Sequence, residues 1–344
     1  MLLISLLFAL LLEYYFPQKS PFLDSSLEKF FSWFKIKFDV GEEKTVFFIW
    51  FFLIIFISLV CWFVWEVLLL LHPIFGLLFL VLLLYLTLGF QQFLQKFHAI
   101  QKSLSASEID SARNSLLNWA KMTKTDPVIL EVSKNGNPSQ ISREAIKLLV
   151  ISLHRNLFAL IFWFLVLPGP LGLIAYKMGV YAKQFWINKN ESDISSSEKN
   201  LNEVENNSNS NDFFEKISHR GFFWIDWISC RITAFVFAIV GNFEDSVAMI
   251  RASSSFDSNS GDTERVIMAA SEGAMTLKLT IPTASSGTQQ LGELENTSSS
   301  FHVDLREPEE HSMDIALGLL WRSLILWLVV LLLVTFGYFY NLLI

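Results

Sequence analysis

Two short polar clusters stand at the edges of apolar segments and carry the side chains best suited to chemistry. His154, Arg155 and Asn156 precede one apolar run, and Asp226 and Arg231 lie near the start of another. If both clusters face the same side of a membrane, the two arginines would donate bidentate hydrogen bonds to an anionic or phosphate-bearing ligand. Asp226 would then orient one arginine or hold a metal ion.

The simpler interpretation of these clusters is anchoring. Cationic side chains near helix ends commonly extend toward the lipid headgroups and need no ligand. Asp226 and Arg231 are five residues apart, which places them about 140° apart around an ideal helix, so they need not pair with each other. Because an unpartnered ion at membrane depth is costly, a binding site and an interfacial anchor both remain open.

No familiar catalytic motif accompanies these residues. The chain has no Walker-type glycine loop, no G-x-G-x-x-G after a strand, no H-E-x-x-H and no G-x-S-x-G. Its two cysteines, Cys61 and Cys230, lie in apolar segments without a nearby ligand set, which argues against a disulfide framework or a zinc site. We therefore predict no cofactor from the motifs.

Composition identifies a membrane protein. Hydrophobic residues make up 52% of the chain and charged residues 17%, and the apolar residues are concentrated in blocks. We predict an all-α polytopic helix bundle with about four to five membrane segments, whose first partner is the lipid bilayer. The net charge of −7 gives no basic field that would hold nucleic acid.

The N-terminal half divides into three regions. Residues 1–45 hold a retained short membrane helix and an amphipathic segment, whose apolar side either lies in the membrane interface or packs on the bundle through Phe30, Phe31, Trp33, Phe34 and Phe38. Residues 46–90 form a transmembrane hairpin. Glu66 and the His72-Pro73 pair mark the turn; the less simple interpretation is that Glu66 and His72 form an intramembrane proton relay.

Residues 91–156 are predicted to form a cytoplasmic helical loop. Lysines and arginines are densest here, among them Arg113, which assigns the loop to the cytoplasmic side. Ser105 or Ser107 would cap its first helix, and Ser139 or Ser142 would begin the helix after the turn at 135–138.

The C-terminal half begins with a broken membrane segment. Residues 157–182 cross the membrane and are interrupted at Pro168-Gly169-Pro170. We predict that this is followed by a disordered Asn/Ser/Glu-rich insertion (183–215), an Asp/Arg-containing segment that spans the membrane or re-enters it (216–241), a soluble acidic region with one helical core (242–313) and a C-terminal transmembrane helix (314–344).

Several segments resemble the cobalamin-biosynthesis CobD/CbiB family of membrane proteins. The stretch FALIFWFLVLPGPLGLIAYKMG is similar to that family's A-P-L-F-[YW] and G-x-x-A-Y-[RK] pattern, matched here by Ala159, Phe162, Trp163, Gly169, Gly172, Ala175, Tyr176 and Lys177. WIDWISCRITAFVFAIVG resembles its D-D/W-x-x-x-x-R-[LI]-T segment through Asp226, Arg231, Ile232 and Thr233, and ERVIMAASEGAMTLKL resembles a later helix through Ala269, Gly273, Ala274 and Leu277. The family's helix before Ala112-Arg113 is matched by FHAIQKSLSASEIDSAR.

The resemblance implies a synthase, but the acidic residues are missing. CobD/CbiB enzymes make adenosylcobinamide phosphate by ATP-dependent amide synthesis, and their E-N-x-x-D-G would fall on Ile151, Ser152, Arg155 and Asn156. A reaction through an acyl phosphate needs Mg²⁺ to screen phosphate charge, so the loss of two candidate ligands weighs against it. The chain looks closer to the AmpE-type branch, which has D-W-[IV]-x-x-R-[IL] and a basic residue before the apolar run.

We therefore expect a multi-pass protein of a bacterial inner membrane that acts as an AmpE-like signalling modulator without synthase activity. AmpE-type proteins are linked to signalling around the cell wall and β-lactamase regulation. The candidate ligand site comprises Arg155, Asn156, His154, Asp226, Arg231, Tyr176, Lys177 and Arg113. Its ligand would be an anionic or phosphate-bearing small molecule, or its partner another membrane protein. The alternatives are an active synthase, which would need Mg²⁺ and ATP, and a transporter, for which the Pro-Gly-Pro break alone is weak support.

Overall fold

The computed structural model describes residues 2–17, 22–38, 43–123, 127–187, 204–254, 262–280 and 304–343, and these ranges are mainly helical and contain no strand. The all-α prediction is confirmed. The helices are α1 (Leu2–Tyr15), α2 (Phe22–Lys37), α3 (Glu43–Leu71), α4 (Pro73–Leu88), α5 (Phe90–Ser105), α6 (Ile109–Thr123), α7 (Pro127–Asn135), α8 (Pro138–Leu153), the π-helical segment (His154–Phe158), α9 (Ala159–Val166), α10 (Leu171–Ile187), α11 (Val204–Val240), α12 (Phe243–Ser254), α13 (Asp262–Met275) and α14 (Ser312–Leu343).

Five stretches of these described helices are long and apolar enough to cross a membrane, so the chain is a multi-pass membrane protein. An apolar stretch of about 20 helical residues matches the hydrocarbon thickness of a bilayer. The stretches are Lys44–Leu71, Pro73–Ser105, Pro138–Val166, Phe214–Val240 and Ser312–Gly337, and α1 is a shorter apolar helix.

The long apolar block folds back at His72. The His72 ring Nδ1 accepts a hydrogen bond from the backbone N–H of Ile74 at 3.2 Å, and Pro73 occupies the first turn of α4, where its missing N–H costs nothing. Glu66, the other residue that the sequence offered as a mark of the turn, lies inside α3. His72 thus acts as a helix cap in this structure.

The predicted cap of α8 was wrong. Asn137, rather than Ser139 or Ser142, is the N-cap: its side chain accepts from the Gln140 N–H at 2.9 Å, and the Gln140 side chain accepts from the Asn137 N–H at 3.0 Å. This reciprocal capping box satisfies two N–H groups at once. Pro138 occupies the first position of the helix, so Ser139 and Ser142 lie inside α8 and cannot be its N-cap.

Helices extend further than the sequence predicted in three places. The helical run that starts at Pro138 continues past the predicted boundary at 156/157 to Val166, through the π-helical segment. Of the predicted insertion 183–215, residues 188–203 lie outside the described ranges, and the remainder belongs to α10 and α11. In the region 242–313, α12 is a second helix in addition to the predicted core. A formed helix gains one hydrogen bond per added residue, so polar ends can extend a packed helix.

The chain divides into two compact units. Unit 1 comprises 1–92, 155–229 and 330–344, and unit 2 comprises 93–154 and 230–329. In unit 1, α4 packs on α1 and α3, and α10 packs on α2, α3 and α9. In unit 2, α12 packs on α13, and α13 also packs on α8. Helices α6, α7 and α8 pack on one another.

The amphipathic helix α2 joins the core of unit 1 through one side. The buried Phe31 ring lies 5.9 Å from the ring of Phe185 and 5.8 Å from that of Trp186, and the Trp186 indole N–H donates to the Phe31 carbonyl at 3.3 Å. Trp33 and Phe38 remain exposed. Both interpretations of this helix therefore keep support, since one side packs on the protein and the other offers aromatic rings to a membrane interface.

Gly169 closes the break between α9 and α10. Its φ of +61° lies in the left-handed region that favours glycine, and a Cβ there would lie 2.6 Å from the Trp65 ring. Pro168 and Pro170 flank it and cannot donate to a helical ladder. The break is therefore fixed both by backbone conformation and by packing inside unit 1.

In unit 2 a buried carboxylate fastens the chain after α13. Glu272 Oε1 accepts from the backbone N–H of Leu279 at 2.7 Å and from the N–H and hydroxyl of Thr280. Nearby, Arg143 donates to the Lys278 carbonyl at 3.2 Å and pairs with Glu307, and the segment at Arg306 exchanges backbone hydrogen bonds with 276–278. Together these contacts hold two chain segments against α8 and α13.

Glu272 should make the stability of unit 2 depend on pH. Burial raises the pKa of its carboxyl, and the hydrogen bonds from Thr280 and Leu279 and the charge of Lys147 oppose that rise only partly. The folded state therefore binds the proton more tightly than the unfolded state, so stability should fall as pH rises from the ordinary glutamate range to the raised folded pKa, and level off above it. Thermal unfolding in detergent micelles across this window should show the decline in the native chain.

Glu272→Gln is the matched variant, because a glutamine Oε1 can accept the same three hydrogen bonds without titrating. Its unfolding temperature should lack the decline over that window. An identical pH profile for the variant and the native chain would show that another group is responsible.

Candidate functional site

The π-helical segment carries Arg155 and Asn156. It is inserted between α8 and α9, and π-helical turns of this kind occur frequently at functional sites. The wider turn changes the direction in which side chains leave the helix relative to an uninterrupted α-helix. Three of the residues singled out from the sequence, His154, Arg155 and Asn156, therefore lie where the regular backbone is interrupted.

Asp226 is anchored inside unit 1 by two hydroxyl groups. Its carboxylate Oδ1 accepts hydrogen bonds from Tyr176 and from Ser229, each at 2.9 Å, and all three residues are buried. Tyr176 comes from α10 and the other two residues from α11, one turn apart. A buried carboxylate with two donors is the usual way to make such a group tolerable in an apolar interior.

Lys177, the neighbour of Tyr176, is bonded on another side of α10. Its Nζ donates to the backbone carbonyl of Thr87 and to Asn156 Oδ1, both at 2.7 Å, and lies 5.3 Å from the centre of the Tyr181 ring. The residue is only 7% exposed. Lys177 therefore links α10 to the end of α4 and to the π-helical segment, which a lysine that only extends toward headgroups would not do.

Two cations converge on one aromatic ring, that of Phe222. The Arg155 guanidinium carbon lies 5.8 Å from the ring centre and Lys183 Nζ lies 5.3 Å from it. The Tyr176 ring also contacts Phe222, at a centroid distance of 5.8 Å. Since Tyr176 in turn donates to Asp226, the two cations, the tyrosine and the aspartate are joined through a single buried phenylalanine.

The remaining candidates belong to unit 2. The ring Nδ1 of His154 lies 3.0 Å from the Thr233 hydroxyl oxygen, and both side chains are buried. Arg231 is half-buried on α11. Arg113 donates twice to the Gly136 carbonyl, at 3.1 and 2.9 Å, and pairs with Asp110 at 3.0 Å, so its contacts fasten α6 to the turn before α8.

Five of the eight predicted residues lie in unit 1 and form two sets of contacts: Arg155, Tyr176 and Asp226 around Phe222, and Asn156 with Lys177. We call these five residues, with Lys183, Phe222 and Ser229, the unit 1 cluster. The sequence reasoning missed Lys183, Phe222 and Ser229. Their spacing could have revealed them, because Lys183 is seven residues after Tyr176, and Phe222 and Ser229 lie four before and three after Asp226. Those spacings place each set on one helix face.

Within the described ranges, no three His, Cys, Asp or Glu side chains cluster closely enough to hold a metal ion. The unit 1 cluster offers two cations on an aromatic ring, a lysine held by carbonyl oxygens and an aspartate with hydroxyl donors. Cations beside an aromatic ring and oriented hydroxyl groups are suited to recognising an anion.

A comparison with protein families matches most of the chain. Neither the curated proteins nor the solved structures yield a match to this chain. A family model described as "Regulatory signalling modulator protein AmpE" matches residues 1–270, which include every member of the unit 1 cluster. Because the match covers well over half of the 344 residues, the chain belongs to the AmpE family.

Proposed function

We propose that this protein is a regulatory signalling modulator of a bacterial inner membrane and that its unit 1 binds an anionic, phosphate-bearing small molecule. The family supports the regulatory role. The apolar stretches support the membrane location. The proposal assigns no reaction to the site.

The convergence of Arg155 and Lys183 on Phe222 is the observation that carries the ligand proposal. A guanidinium and an ammonium on the same ring offer several charge-assisted hydrogen-bond donors, and such donors suit the oxygens of a phosphate group. The chain as a whole is acidic, so this local positive charge is not a consequence of composition.

Asp226 and Tyr176 give the proposed site its orientation. The hydrogen bond to Asp226 fixes the direction of the Tyr176 hydroxyl, and the Tyr176 ring supports Phe222. In this proposal Asp226 positions the aromatic wall on which the cations lie, and it does not contact the ligand. Asn156 acts through Lys177, which it holds beside the π-helical segment.

The proposal includes membership of a wider superfamily with the CobD/CbiB proteins. The alternative function is that of an active synthase. The segments around Tyr176 and Asp226 support the kinship. The two positions where the synthases carry acidic residues hold Ile151 and Arg155 here, which favours sensing over synthesis.

A binding experiment with inorganic pyrophosphate as the probe tests the site. Titration into the purified full-length protein in detergent should raise its unfolding temperature, because a ligand that binds only the folded state stabilises it. Arg155→Met and Lys183→Met should each weaken binding about tenfold, corresponding to about 1.4 kcal/mol, and the double variant should abolish the shift. Lys121→Met, an exposed lysine of unit 2, is the control and should bind as the native chain does.

Two measurements in cells distinguish the regulatory function from the synthase. In the source bacterium, deletion should alter β-lactamase induction, and the native gene should restore it while the double variant should not. Growth of a cobinamide-salvage strain that lacks the synthase should not be restored. Restored growth would establish the synthase instead, and pyrophosphate binding that survives in the double variant would remove the proposed site.

A further inference from the structure

A second break in a membrane helix lies at Gly89. Helix α4 ends at Leu88, Gly89 takes a left-handed φ of +60°, and α5 begins at Phe90, so the apolar stretch Pro73–Ser105 is two helices in succession. Such a break leaves carbonyls at the end of one helix and N–H groups at the start of the next without partners inside the helix. In lipid these groups must be satisfied by other parts of the protein.

Two charged side chains of unit 1 serve the two sides of this break. Lys177 donates to the Thr87 carbonyl at the end of α4, at 2.7 Å. Glu13 of α1 accepts from the Gln91 N–H at the start of α5, at 3.0 Å, through its Oε1. A cation at a helix C-terminus and an anion at a helix N-terminus each interact favourably with the dipole of that helix.

Glu13 is bonded through only one of its two oxygens. The residue is completely buried, at 0% exposure, and within the described part of the chain Oε2 has no hydrogen-bond partner. A buried polar atom without a partner costs about 1–3 kcal/mol, and more if it is charged. The Oε1 contact explains why a carboxyl group is present, but it leaves the second oxygen without a role.

We propose that Glu13 is a membrane-embedded proton-binding site, with Oε2 as the atom that takes and releases the proton. The neutral acid removes the cost of an unpartnered anionic oxygen, while Oε1 still accepts the Gln91 hydrogen bond in either state. This inference goes beyond the proposed ligand site and does not rest on it, since pyrophosphate binding could fail without affecting Glu13.

Whether Glu13 is a neutral acid or an anion depends on its burial and on the groups that face it. Within the described residues, Lys177 is the charged group that acts electrostatically on Glu13, and α4, on which α1 packs, contributes no charged side chain. Burial is the largest effect and favours the neutral acid, whereas the backbone N–H groups of Gln91 and Phe90 and the Lys177 ammonium favour the anion. Because a cation already lies there, a metal ion at Oε2 is disfavoured. Loss of the proton would strengthen the attraction between α1 and Lys177, which also contacts the π-helical segment through Asn156.

Dicyclohexylcarbodiimide tests the inference on the native full-length protein in lipid vesicles. A neutral carboxylic acid in an apolar site adds to this reagent: its proton moves to a carbodiimide nitrogen, its oxygen bonds the central carbon, and the adduct rearranges to a stable N-acylurea with no leaving group. Peptide mass mapping should locate an adduct at Glu13 near neutral pH, and its yield should fall several-fold at alkaline pH. Glu13→Gln should lack the adduct.

Lys177→Met sharpens the test. Removal of the facing cation favours the neutral acid, so the decline in labelling should move to higher pH, whereas Lys183→Met should leave it unchanged. Infrared difference spectra of the native protein should independently show a carboxylic-acid carbonyl band that Glu13→Gln removes. The assignment is overturned if Glu13 gives neither the adduct nor the carbonyl band at any pH. It is also overturned if Lys177→Met has the same pH profile of labelling as the native protein.

Discussion

Gly273→Ala is expected to destabilise unit 2 by about 3 kcal/mol, a large effect for one methyl group. A Cβ at this position would lie 2.4 Å from the backbone nitrogen and Cα of Ser246 and 2.5 Å from the carbonyl carbon of Asp245. These are backbone atoms of α12, so no side-chain rotation can relieve the contact. The two helices would have to move apart along their whole shared face.

The surrounding contacts explain why α12 and α13 cannot separate cheaply. The Ser246 hydroxyl lies 3.2 Å from the Ala270 carbonyl, and the Asn242 N–H donates to the Ala274 carbonyl at 3.2 Å. A Cβ on Gly241 would likewise meet Ala274 at 2.5 Å. Displacement of one helix would therefore loosen both interhelical hydrogen bonds as well as the apolar packing.

Gly318→Ala is the control, because the same change on α14 would meet nothing within 4 Å. Alanine is favoured over glycine inside a helix by about 1 kcal/mol, so this variant should be neutral or slightly stabilised. Thermal unfolding of the purified protein in detergent micelles measures both variants. Equal unfolding temperatures for the two would show that α12 and α13 are not packed as described.

The membrane helices could be predicted from the sequence because their signal is local. The apolar block from Val46 was long enough for two crossings, and His72-Pro73 supplied a turn signal that the backbone follows. The sequence predicts that this block ends at Phe90, where hydrophobicity falls. The structure has its break at Gly89 but resumes the helix, since the Glu13 carboxylate caps the new N-terminus from another helix. That contact joins residues 78 positions apart, so no local sequence pattern predicts it.

The candidate site was predictable in part for the same reason. Arg155, Tyr176, Lys177 and Asp226 stood out as polar residues in apolar surroundings, and all four are built into unit 1. The π-helical segment could not be read from the sequence, because one extra residue in a helical turn leaves the composition unchanged. Lys183 was overlooked because a lysine near a helix end is usually a solvated one.

Asp226→Ala is expected to destabilise unit 1 by about 2–3 kcal/mol, because it removes a charged acceptor from two buried hydroxyl donors. Tyr176 and Ser229 would both lose the 2.9 Å hydrogen bonds to Asp226 Oδ1. The Tyr176 hydroxyl would then be left without this acceptor in an apolar interior. Asp226→Asn keeps an acceptor oxygen and should cost less than half as much. Unfolding in detergent micelles gives both values.

A double-mutant cycle with Tyr176→Phe isolates the interaction. If the Tyr176 hydroxyl depends on Asp226, its removal should be costly in the native chain and nearly neutral once Asp226 is alanine, with a coupling of about 1–2 kcal/mol. Measured hydrogen bonds between membrane helices average about 0.6 kcal/mol, and a charged acceptor places this pair above that average. The same cycle applied to pyrophosphate binding should show coupling as well, because Tyr176 supports the Phe222 ring on which Arg155 and Lys183 converge. Coupling in stability with none in binding would mean that Asp226 holds the bundle together without orienting the site.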